Sequence, residues 1–121
     1  MEDYQYDCPS ADIDMLARVI SDLFPEQTQF AERKDDTGRT SLVIHYVAMR
    51  FGAQARRIAI EVRFDPDALA RYRAMPQRMH ARSYAVLRAY VEAALGSLEE
   101  QYANGEAVPR EVELEMGEDF A

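Results

Sequence analysis

The chain has 121 residues, 48% hydrophobic and 30% charged, enough for one packed core and too little for a second domain or for general disorder. Its formal net charge of -8 argues against a simple polyanion binder, because neutralising phosphates takes a basic footprint. No run approaches the ~20 consecutive apolar residues of a membrane-spanning helix, no export signal is recognisable, and the lone cysteine, Cys8, excludes an internal disulfide, so a reducing cytoplasm is the expected location.

In chain order, Ser10 precedes Ile13, Leu16, Ala17, Ile20, Leu23 and Phe24 at helical spacing, with Asp12 and Asp14 where the helix dipole favours acids and Pro25 as the stop. Arg18 and Asp22 are placed to pair at i, i+4. Gln27 to Arg33 reads as a short edge strand carrying Phe30, and Lys34 to Arg39 as a hairpin turn in which Gly38 supplies positive φ. Thr40 to Phe51 and Arg56 to Phe64 are β-rich, and short connections make the three strands an antiparallel meander.

Asp65-Pro66-Asp67 is a compact helix start, and Pro76 ends that helix near Met75. A longer helix begins between Gln77 and Ser83 and runs to Ala103, with Tyr84, Leu87, Val91, Ala94, Leu95, Leu98 and Tyr102 as its apolar stripe. Beside it Ala85, Ala89, Ala93 and Gly96 form a row of small residues, either a helix-packing face or a reflection of an Ala-rich chain. Residues 106–121 alternate Val112, Leu114 and Met116 with Glu111, Glu113 and Glu115, which fits an acidic edge strand or a solvated tail. The expected fold is α+β: a single domain over 1–121 with its core at about 10–104, an antiparallel sheet of three or four strands, an N-terminal helix and a long C-terminal helix.

The search for chemistry finds no Gly-rich phosphate loop, Cys-x-x-Cys pair, helical metal motif or nucleophile elbow, so no cofactor is expected. His45 lies in an apolar strand, where a hydrogen-bonded core or interface role outweighs catalysis, and His80 sits among Arg78 and Arg82. Residues 1–44 hold 10 acids and 4 bases, residues 45–90 hold 3 and 9, and residues 91–121 hold 9 and 1, so the basic middle is expected to meet the acidic ends on folding.

Strand 40–51 is apolar on both faces: Ile44 and Tyr46 lie on one, Val43, His45, Val47, Met49 and Phe51 on the other. Helices on one side therefore leave an apolar surface on the other, and a homodimer or other protein partner through these seven residues is the favoured reading. The alternative is a nucleic-acid or anionic-ligand binder using Arg71, Arg73, Arg78, Arg82 and Arg88, and the third a small enzyme around His45 or His80.

Helix, three strands, helix invites comparison with the double-stranded-RNA-binding domain. The extra helix at 66–75 and the acidic charge oppose it. With 13 Arg against one Lys and 18 Ala, the chain resembles small uncharacterised proteins of GC-rich bacteria that are grouped as domains of unknown function. That resemblance implies no site residue.

Overall fold

The first helix, α1 (Ala11–Ile20), buries Ile13, Leu16, Ala17 and Ile20, the stripe its spacing implies. In the computed structural model, residues 6–7, 10–48, 56–105 and 109–121 are described. Ser10 occupies the N-cap position, but its hydroxyl donates to Asp12 while its amide donates to Glu32 Oε1 at 2.8 Å, fastening the helix start to the sheet. α1 gives way to a 3-10 turn at Ser21–Leu23, which carries Asp22 off the helical face. The Arg18–Asp22 expectation is thus corrected: Arg18 pairs with Asp14, and Asp22 pairs with Arg88.

Strands β1 (Tyr6–Asp7), β2 (Gln29–Lys34), β3 (Thr40–Ala48) and β4 (Arg56–Phe64) pair antiparallel in sequence order. Asp35 builds the β2–β3 turn, its Oδ1 accepting from the amides of Thr37 and Arg39 at 2.9 Å each, while Gly38 takes φ 83°. Asp65 then caps α2 (Pro66–Ala74), accepting from the Ala68 amide at 3.0 Å with Pro66 at the first turn. After a 3-10 turn at Gln77–Met79 comes α3 (His80–Ala103), 24 residues and so ~36 Å long.

That length carries the chain back across the sheet, and β5 (Glu111–Met116) joins β4 in parallel. The sheet is therefore mixed, with strand order β1-β2-β3-β4-β5, and not the purely antiparallel meander the sequence suggests. Short loops force antiparallel neighbours; a helical crossover allows a parallel one.

The core joins α1, α2 and α3 to a single face of the sheet. Leu42 and Ile44 of β3, Ile58, Ile60, Val62 and Phe64 of β4 and Met116 of β5 pack against Leu16, Ile20, Leu69, Tyr72, Leu87 and Val91. Ala85, Ala89, Ala93 and Gly96 are exposed, so no described helix of the chain packs on the small-residue row. Among the described residues no helix is long and apolar enough to cross a membrane.

Candidate functional site

Residues opposite one another in a ladder share a face, so the register fixes what lies on the helix-free side. Arg33 of β2 is opposite Ser41, and Ala31 opposite Val43. Across the next ladder Ser41 faces Arg63, Val43 faces Glu61, His45 faces Ala59 and Val47 faces Arg57. Glu111, Glu113 and Glu115 of β5 complete the face beside Ala59, Glu61 and Arg63.

Ion pairs cover much of this surface. Arg33 Nη1 donates to Glu61 Oε2 at 2.7 Å, and because the two residues stand on β2 and β4, their bridge spans β3 between Ser41 and Val43. This explains why Ser41 and Val43 are only 3% and 4% exposed although no helix reaches them. Arg63 lies 3.6 Å from Asp35, 3.9 Å from Glu113 and 3.8 Å from Glu115, and Arg39 pairs with Glu115. The Asp35 carboxyl is held below the ordinary carboxylate range, first by the Thr37 hydroxyl, then by the Arg39 amide. An open cavity of about 480 Å³ remains, with Val43, His45 and Ala59 on its walls among Arg33, Arg63, Glu61, Glu111 and Glu113. Such a lining of both charge signs can receive polar or charged groups of either sign. Among the described residues no three His, Cys, Asp or Glu side chains gather as a metal site.

The seven interface candidates divide between the two sides. Ile44 is fully buried beneath the helices, and Tyr46 is half-buried against Phe24 with ring centroids 5.1 Å apart, so neither belongs to the open face. Val43, His45 and Val47 do belong to it: Val43 is covered by its own chain, His45 is exposed, and Val47 is 41% exposed. The uninterrupted apolar surface expected there is broken by the charged bridges. Met49, Phe51 and Cys8 lie outside the described residues.

The arginine candidates do not converge. Arg71 donates to the main-chain oxygens of Ala121 at 2.8 Å and Glu118 at 3.4 Å, Arg73 pairs with Asp12, and Arg88 forks onto Asp22 at 2.7 and 2.8 Å. Arg78 and Arg82 are exposed. The basic middle of the chain thus meets acids from both ends. His80 opens α3 with its ring stacked on Tyr72 at 4.2 Å and its Nε2 3.0 Å from the Tyr72 carbonyl oxygen, a structural contact between the two helices. Burial, then the Tyr84 hydroxyl, pushes the Tyr72 phenol well above its ordinary range, so it stays protonated.

Sequence reasoning missed Phe120, which is fully buried against Phe64 and Tyr72. Its one signal is an aromatic residue set in an otherwise acidic stretch. It also missed the bridge over β3, because Arg33 and Glu61 meet only once the strands on both sides of β3 are in register.

A family model described as Protein of unknown function (DUF3022) matches residues 13–117. No curated protein and no solved structure matches the chain.

Proposed function

The chain belongs to the DUF3022 family, and on that footing we propose that it is a non-enzymatic protein-interaction module whose partner is a second copy of itself. The observation that carries this reading is the one-sided layering: helices occupy one face of the sheet, while the other presents Val47, 41% exposed, beside His45 and Arg57. A two-fold interface needs a surface that complements itself. This face offers Arg57 on β4 and Glu111 on β5, so a copy laid upon it about a two-fold axis sets arginine against glutamate twice.

The burial of Val43 moves the centre of the contact toward Val47 and His45. A standard interface there buries ~800 Å² per partner. The test is a pair of variants run by light scattering. Val47→Asp is expected to give a folded monomer, while Ala93→Asp, on the exposed side of α3, keeps the dimer. A Val47→Asp protein of unchanged dimeric mass would remove the sheet face from the proposal.

A further inference from the structure

β5 is the last strand in the order β1-β2-β3-β4-β5, so one of its sides pairs with β4 and the other has no strand beside it among the described residues. The carbonyls of Arg110 and Met116 accept from the amides of Ala59 and Asp65, at 2.8 Å each. Main-chain groups alternate in direction along a strand, so those of Arg110, Val112, Leu114 and Met116 point to β4. Those of Glu111, Glu113 and Glu115 point outward, and no described residue hydrogen-bonds to them.

An unpaired edge is a template for another strand, and proteins blunt it with a bulge, a proline, a very short strand or charge. β5 runs for six residues in unbroken register with β4 and holds no proline or glycine. Charge is what remains, and it is of one sign. Glu115 pairs with Arg39 and lies 3.8 Å from Arg63, Glu113 lies 3.9 Å from Arg63, and Glu111 pairs with no described residue. These carboxylates stand on the helix-free face, while Val112 and Leu114, half-buried, extend the core on the other. A second copy does not suit this edge. Two β5 strands laid antiparallel about a two-fold axis, with their outward groups in hydrogen-bond register, set glutamate directly against glutamate.

We propose that the outer edge of β5 binds an extended basic segment of a partner protein by strand addition, with lysine or arginine opposite the glutamates and apolar residues opposite Val112 and Leu114. Main-chain hydrogen bonds supply the affinity, and the alternation of basic and apolar residues supplies the selection. The same carboxylates that repel a second β5 attract this occupant. The contact runs along the sheet and not over it, so it goes beyond the self-association reading and does not rest on it.

The test titrates the full chain with the end-capped peptide Val-Lys-Val-Lys-Val-Lys-Val and follows hydrogen exchange of the β5 amides. With the peptide bound, exchange at Glu111, Glu113 and Glu115 should slow by at least about tenfold, because only these amides gain a partner. Methylating the main-chain nitrogen of the central lysine removes a donor aimed at β5 and should abolish binding. The peptide Val-Glu-Val-Glu-Val-Glu-Val should not bind. Glu113→Lys, a change at an exposed position, should weaken binding of the lysine peptide by about fivefold or more. Four results would overturn the proposal: no saturable binding, equal binding of the methylated or the glutamate peptide, unchanged affinity in Glu113→Lys, or binding that leaves the three amides exchanging as before. The exchange readout uses the wild-type protein and does not depend on its oligomeric mass, so failure of the self-association reading leaves this expectation in place.

Discussion

Asp65 serves two elements from one position. Its amide donates to the Met116 oxygen at 2.8 Å, and its carboxylate accepts from the Ala68 amide at 3.0 Å, so the end of β4 is tied to β5 while α2 is capped. Asp65→Ala is expected to cost ~1 kcal/mol with the fold retained, read as a lower urea midpoint. A second expectation concerns acid. Arg88 holds Asp22 below the ordinary carboxylate range, Thr37 does the same for Asp35, and at Asp12 burial works upward but is outweighed by hydrogen bonds from Ser10 and Arg73. Folded values below unfolded ones mean that this stabilisation is complete above about pH 4 and is lost as pH falls through the depressed values. The midpoint should hold steady down to about pH 5 and decline only below about pH 4; a decline already under way near pH 6 would show that groups other than these carboxylates set the acid limit. The cap at Asp65 was legible because Asp-Pro-Asp is a local signal. The partners of Asp12 and Asp22 were not, because Arg73 and Arg88 lie 61 and 66 residues away.

At the level of elements, the bridge from Arg33 to Glu61 gives β3 a cover that helices do not supply. Both side chains are mostly withdrawn from solvent, 18% and 15% exposed, so neither is a freely solvated surface charge. Glu61→Gln is expected to lower stability by about 1–2 kcal/mol, less than the loss of a fully buried pair, because some water still reaches the site. An unchanged midpoint would show that the bridge contributes nothing net. The two-sided apolar character of β3 was readable in Leu42-Val43-Ile44, but what covers its second side was not. That depends on the registers set by the Asp35 turn and by the β3–β4 pairing, neither of which is encoded in one strand. The alternation of Val112, Leu114 and Met116 likewise left an edge strand and a solvated tail both open, and carried no direction. Direction follows from the crossover made by α3.

For the whole molecule, the order acidic, basic, acidic along the chain becomes pairing in space, with Arg63 against Glu113 and Glu115, Arg73 against Asp12 and Arg88 against Asp22. A surface neutralised in this way is expected to show no salt-sensitive affinity for DNA or RNA near physiological ionic strength, as read by binding at two salt concentrations. Steeply salt-dependent binding would favour Arg78 and Arg82 as a working basic site. Self-association through the helix-free face is read from the mass of the wild-type protein in solution. Light scattering over a dilution series should give twice the chain mass of 13.9 kDa at high concentration, falling toward 13.9 kDa on dilution. A mass of 13.9 kDa at every concentration would contradict it.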